Sequence, residues 1–211
     1  MKYRMIVFDL DGTLLNTLKD LRSALNYALK TVGLNERSLE EVKDFIGTGI
    51  KNLCIKGSNG IRSEEVLAHF KEYYSYHLCD ETSVYPNIPT LLLNLKNRYI
   101  LGILSNKKND LIQKLNNYYF KDIFDFAMGE CDNIKRKPSP DMIEYILKKY
   151  NLDKKDVLYV GDSDVDITFS ENAGIDYVIV DYGYRDRASL EALNPRAIVS
   201  NPLEILAYLG E

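Results

Sequence analysis

Two textures of apolar patterning divide the chain. From Thr17 to about Cys79 the hydrophobic residues recur at intervals of three and four. Leu18, Leu21, Leu25, Leu29 and Val32 mark one face of a helix, and Gly33 stands where a helix would stop. Further helices are predicted over Leu39–Ile46 and Ile50–Lys56. After the turn Gly57-Ser58-Asn59-Gly60 another should run from Ser63, as N-cap, to about Leu78. No strand pattern interrupts this stretch, which reads as a small all-helical unit.

The remainder alternates short apolar runs with amphipathic stretches. Strands are expected at Met5–Phe8, Tyr99–Leu104, Ile123–Met128, Val157–Val160, Tyr177–Val180 and Ala197–Val199. Helices are expected at Asp110–Tyr119, Asp141–Tyr150, Asp164–Ala173 and Leu203–Leu209. Strand and helix in alternation predict an α/β fold with a doubly wound parallel sheet, a Rossmann-like core. The core would comprise residues 1–15 and 84–211, with the all-helical segment 16–83 inserted between the first strand and the rest. Sites in such sheets lie at the carboxyl ends of strands, near the switch in strand order.

Composition narrows the function. The 211 residues are 45% hydrophobic with a formal net charge of -4, ordinary for a packed globule. No Lys/Arg stripe offsets the acidic balance, so a nucleic-acid partner is not expected and a small molecule is. Cys54, Cys79 and Cys131 are widely spaced, a poor disulfide framework and a poor zinc site. No apolar run approaches the roughly 18 residues needed to cross a bilayer, so no membrane role is expected and a cytoplasmic protein is the default. Oligomeric state is left open.

Candidate chemistry begins after the first strand, at Asp9-Leu10-Asp11-Gly12-Thr13-Leu14. Residues at i and i+2 of a strand project to one face, so Asp9 and Asp11 can converge where Gly12 lets the backbone turn away. Two converging carboxylates must share a proton or hold a cation, and a hard oxygen site suits Mg²⁺. An acidic turn after a strand has the same letters. Ser105, Asn106 and Lys107 end the Tyr99 strand with groups able to donate to a phosphate oxygen, though the same residues serve as an ordinary loop or cap. In Lys135-Arg136-Lys137-Pro138-Ser139-Pro140-Asp141, Ser139 can cap the next helix with Pro140 at its first position. Lys137 would then be a supported point charge, or one of three bases in a solvated patch. Asp162, Asp164 and Asp166 follow the Val157 strand. Asp162 at its tip could reach a metal held by Asp9, Asp166 one helical turn on would support it, and Asp164 would cap the helix.

In this order and spacing, these motifs resemble the haloacid dehalogenase-like phosphohydrolases, specifically the phosphoglycolate phosphatase-like group with a helical cap after the first motif. The resemblance covers essentially the whole chain. It implies Asp9 as nucleophile, forming an aspartyl-phosphate, and Asp11 as general acid and base. It implies Mg²⁺ held by Asp9, by Asp11 through its backbone carbonyl and by Asp162, with Asp166 in support. Thr13, Ser105, Asn106 and Lys137 would take up phosphate charge. Gly47-Thr48-Gly49 matches a cap loop that contacts substrate in relatives, with Lys51 nearby. Asn16 stands where many relatives carry Asp, and the cap lacks a basic cluster. The expected substrate is a small phosphate monoester, phosphoglycolate-like or a sugar phosphate. A phosphosugar mutase, a pyrophosphatase and a non-catalytic phosphate-binding regulatory module are the alternatives. Mutase relatives usually carry Glu-Asp where this chain has Gly161-Asp162, which favours hydrolysis.

Overall fold

The computed structural model describes residues 2–210. The chain folds as two compact units, one made of Met1–Leu15 with Val84–Glu211 and the other of Asn16–Ser83.

The first unit is built on a six-stranded sheet. Its strands are β1 (Met5–Phe8), β4 (Ile100–Lys108), β5 (Phe126–Glu130), β6 (Val157–Gly161), β7 (Asp176–Val180) and β8 (Ile198–Val199), in the order β5-β4-β1-β6-β7-β8, all paired in parallel. The chain steps from β1 to β4 and β5 on one side, then crosses to β6, β7 and β8 on the other. β1 is therefore the strand at which the order reverses. Between the strands lie α5 (Ile88–Leu95), α6 (Asn109–Tyr119), α7 (Asp141–Tyr150), α8 (Asp164–Ala173) and α9 (Arg187–Glu191), and α10 (Glu204–Leu209) closes the unit.

Why these sequences bury both faces follows from their alternation. Met5 and Val7 join a core with Met142, Ile143 and Ile146 of α7 and Ile167 and Phe169 of α8. Ile6 and Phe8 point the opposite way and are also fully buried, with Phe8 edge-on to Phe124. A parallel sheet covered on both faces accounts for the unbroken apolar runs read in the sequence.

The second unit is helical: α1 (Leu18–Thr31), α2 (Leu39–Phe45), α3 (Ile50–Gly57) and α4 (Ser63–Tyr76). The α1 face bearing Leu18, Leu21, Leu25 and Leu29 is buried, as its spacing requires. Asp20 on α1 is also buried. Its carboxylate accepts from the Glu81 and Thr82 backbone N–H groups, each at 2.9 Å, and from the Thr82 hydroxyl at 2.7 Å. A charge-assisted set of this kind ties the start of the first helix to the returning segment. Short strands β2 (Leu15–Asn16) and β3 (Ser83–Val84) pair where the chain passes between the units.

Several elements differ from their sequence expectations. Arg62, in the left-handed region at φ 49°, is the N-cap of α4, and Ser63 is its first residue. Pro140 is the N-cap of α7, and the Ser139 hydroxyl hydrogen-bonds the Asp141 carboxylate instead of capping the backbone. β5 lies at Phe126–Glu130, later than the expected Ile123–Met128. β4 continues to Lys108, so Ser105, Asn106 and Lys107 belong to the strand and not to a loop after it. Helices α5 and α9 had no counterpart in the sequence reading; α9 is short and is set by Asp186, which accepts from the Ser189 N–H at 2.9 Å.

Candidate active site

The strand register converges the candidate residues. Phe8 is level with Ile103 of β4 and Val160 of β6, so Asp9 leaves β1 beside the ends of both neighbours. The Asp9 N–H donates to the Val160 carbonyl at 2.8 Å, carrying the pairing to the tip of β1. Ligand atoms of Asp9, Asp162 and Asp166 lie within 4.8 Å of one another, and all three residues are buried.

Lys137 is the hub of this group. Its ammonium is 3.0 Å from Asp9 Oδ1 and donates to Asp166 Oδ1 at 2.7 Å and to the Tyr159 hydroxyl at 2.8 Å. The Tyr159 hydroxyl lies 3.2 Å from the Leu104 carbonyl and 3.1 Å from Asp166 Oδ1, its two acceptors. Asp166 Oδ2 takes the Asp162 and Ser163 backbone N–H groups at 3.2 and 3.1 Å and the Ser163 hydroxyl at 2.7 Å. With both oxygens occupied by donors, Asp166 acts as a brace for Lys137 and for the β6–α8 turn.

Asp162 is held from three sides. Tyr184 N–H donates to Oδ2 at 2.8 Å, and Thr13 Oγ1 lies 3.4 Å from Oδ1. Gly12, at φ +90°, passes so close that a Cβ there would sit 2.2 Å from Asp162 Oδ2. Only glycine permits both that backbone angle and that approach.

Asp11 is engaged separately. Lys107 Nζ lies 3.0 Å from each of its carboxylate oxygens. Ser105 is buried, and its hydroxyl accepts from the Lys107 N–H at 3.4 Å. The Asn106 side chain donates to the Lys137 carbonyl at 3.0 Å, bracing the backbone that carries the lysine.

Electrostatics show what the group lacks. Burial pushes the Asp9 carboxyl up to about 6; Lys137 opposes the rise, and Asp166 and Asp11 add to it. Asp162 is pushed well above the carboxylate range by burial and by Asp166 and Asp9, against the Tyr184 N–H and Lys137. Burial lowers the Lys137 pKa, but Asp166 and Asp9 outweigh it and hold the ammonium above its ordinary value. Four carboxylates, Asp9, Asp11, Asp162 and Asp166, thus face two ammonium groups, Lys107 and Lys137. Fully ionised, the four would exceed the two ammonium groups by two negative charges, and a divalent cation such as Mg²⁺ would supply the countercharge that lets these hard oxygens ionise.

Comparison with known proteins agrees with this geometry. The family model described as haloacid dehalogenase-like hydrolase matches residues 6–180. The chain belongs to that family. Within it, the chain groups with the phosphoglycolate phosphatases. It is 32% identical to the phosphoglycolate phosphatase of Aquifex aeolicus over 208 residues, covering 98% of this chain and 96% of the relative. It is 29% identical to that of Haemophilus influenzae, covering 99% of each. The crystal structure of a predicted phosphoglycolate phosphatase from Haemophilus somnus superposes with a TM-score of 0.92 at 31% identity, covering 99% of each chain.

Among the sequence candidates of this haloacid dehalogenase-like chain, Asp9, Thr13, Asn106, Lys137, Asp162 and Asp166 are linked by the contacts above, and Ser105 contacts the Lys107 backbone N–H. Asp11 joins through Lys107 and through its charge on Asp9. Gly47, Thr48 and Gly49 lie in the helical unit, joining α2 to α3, with Gly47 and Gly49 at φ 113° and 85°. Lys51 pairs with Glu64 at 3.1 Å. Asn16 Oδ1 accepts from the Leu18 N–H at 3.4 Å at the start of α1. Sequence reasoning missed Tyr159 and Tyr184. A tyrosine inside the apolar run Val157-Leu158-Tyr159-Val160 was the available signal for the first; Tyr184 acts through its backbone, which no side-chain pattern announces.

Proposed function

We propose that this chain is a Mg²⁺-dependent phosphatase that hydrolyses a small phosphate monoester through an aspartyl-phosphate on Asp9. The observation that carries the reading is the buried convergence of Asp9, Asp162 and Lys137 at neighbouring strand ends, where carboxylates outnumber ammonium groups. Phosphoglycolate is the first substrate to consider, because the relatives named above carry that activity in their names.

Asp9 attacks phosphorus and the leaving oxygen departs, so one difficult displacement becomes two easier ones. Asp11 supplies a proton to the leaving alkoxide in the first step and takes one from water in the second. Lys137 holds Asp9 in place and, with Ser105 and Thr13, offsets the charge of the transferring group. Mg²⁺, held by Asp9, Asp162 and the Asp11 carbonyl, would shield the approach of an anionic ester to an anionic nucleophile. We assign the Asn16–Ser83 unit the role of a cap that selects the leaving group, with Gly47, Thr48 and Gly49 as its substrate loop.

The test is phosphate release by the purified chain from a panel containing p-nitrophenyl phosphate, phosphoglycolate, sugar phosphates, nucleotides and pyrophosphate. Turnover of one or more monoesters with Mg²⁺, lost on chelation and restored by Mg²⁺, is expected. A Mg²⁺-replete chain inert toward every ester would overturn the reading.

A further inference from the structure

Lys107 is a buried lysine that the reaction as described does not use. Its side chain is 2% exposed, and Nζ sits 3.0 Å from both oxygens of Asp11, whose own side chain is 16% exposed. A lysine at a strand end is ordinarily free to extend its ammonium into water, so burial here is a cost that the pair must offset. The second buried ammonium nearby, Lys137, is engaged by Asp9 and Asp166. The two cations are thus divided between the two aspartates of the first motif, and the cation on Asp11 grips it symmetrically.

We propose that Lys107 is the positioning residue for Asp11 and serves the second half of the reaction, the hydrolysis of the phosphorylated Asp9; the inference rests on the function proposed above. A carboxylate with both oxygens 3.0 Å from one ammonium is held in one plane. A fixed proton acceptor suits the hydrolytic step. Water oxygen bonds to phosphorus, the bond from phosphorus to the Asp9 oxygen breaks, and the Asp9 carboxylate is regenerated. The proton lost by the water goes to Asp11, and inorganic phosphate leaves. The first step makes its own demand on Asp11, as proton donor, when the leaving group is a poor one. An aryl phosphate removes that demand, because a phenolate departs without protonation. With such a substrate the contribution of Lys107 is confined to hydrolysis of the intermediate.

The experiment compares the full chain with Lys107→Met and Lys107→Gln on p-nitrophenyl phosphate at saturating Mg²⁺, by steady-state and rapid-mixing kinetics. General-base assistance is worth about 10²–10⁴-fold, so loss of its positioning should lower kcat by about 10–100-fold. KM should fall in parallel, leaving kcat/KM within about threefold, and a burst near one nitrophenolate per site should appear. Lys107→Gln keeps a donor, on a side chain one atom shorter and without the charge, and covers the case in which Lys107→Met does not fold. If kcat/KM falls as far as kcat and no burst appears, Lys107 acts on phosphoryl transfer to Asp9 or on the fold, and the inference is wrong while the phosphatase reading stands. A wild-type chain without turnover removes both.

Discussion

The Tyr159 hydroxyl accepts a hydrogen bond from the Lys137 ammonium at 2.8 Å, linking a core strand directly to the cation that faces Asp9. The side chain of Lys137 is 2% exposed, and Tyr159 is fully buried. Tyr159→Phe removes this acceptor and the donor that faces the Leu104 carbonyl. Asp9 and Asp166 still hold the ammonium, so the fold should survive with about 1–3 kcal/mol less stability. Urea denaturation of the two proteins measures the difference. An unchanged midpoint would mean that the hydroxyl contributes nothing to the brace.

Asp9→Asn keeps the size of the side chain and removes the carboxylate. Phosphate release from p-nitrophenyl phosphate should fall by roughly 10³-fold or more, since an amide is not a competent nucleophile. The folded state should be retained, because the substitution relieves a buried charge that burial already disfavours. Circular dichroism together with the phosphate assay separates the two effects. Activity within tenfold of wild type would exclude Asp9 as nucleophile.

Cys54 gives the alkaline stability limb a specific contributor. It is fully buried in the α3 core of the helical unit, and burial pushes its thiol up to about 12, with Lys71 opposing. In the unfolded chain a thiol ionises near pH 8.5. The folded state therefore retains the proton through a window in which the unfolded state loses it. The contribution is complete below about pH 8.5 and is lost as pH rises toward 12. Between pH 7.5 and 10.5 it should cost about 2–3 kcal/mol. Cys54→Ala lacks this term, so its stability deficit relative to wild type should narrow by that amount at pH 10.5. Urea midpoints at the two pH values check it, and a constant deficit would show the thiol titrating normally.

What the sequence disclosed followed from how locally each feature is encoded. Asp9, Asp11 and Gly12 are adjacent, and a strand followed by a turn carries its own signal in the alternation before it. Asp162 and Lys137 could be tied to strand and helix ends in the same way. Pairings across the sheet were not legible. Lys107 read as a donor for phosphate, whereas the register of β1 with β4 brings it to Asp11, 96 residues away. Tyr159 passed unremarked inside the Val157–Val160 strand, because periodicity reports which face a ring occupies and not what its hydroxyl meets. Helix α5 escaped because Leu91, Leu92 and Leu93 run consecutively and blur a helical face, although Leu93 is 68% exposed.

Gly12 and Gly33 permit a controlled test of whether the Gly12 approach shapes the proposed metal site. Both have positive φ, +90° and +76°. Alanine at either pays the backbone cost of a left-handed residue, about 1–2 kcal/mol. At Gly33 no atom lies within 4 Å of the added carbon, so that cost stands alone. At Gly12 the carbon would meet Asp162 Oδ2 at 2.2 Å and Cγ at 2.6 Å. The carboxylate has little room to yield: Tyr184 N–H holds Oδ2, and Gly183 comes so near that a Cβ there would lie 2.5 Å from Asp162 Cβ. Gly12→Ala should therefore displace a proposed ligand and raise the Mg²⁺ concentration for half-maximal activity by about 10–100-fold, the range seen when the support of a metal ligand is lost. Gly33→Ala should lower stability with no change in Mg²⁺ requirement. Isothermal titration with Mg²⁺ gives a readout independent of turnover. Equal Mg²⁺ affinities for the two variants would show that the contact between Gly12 and Asp162 is a packing feature with no part in holding the metal.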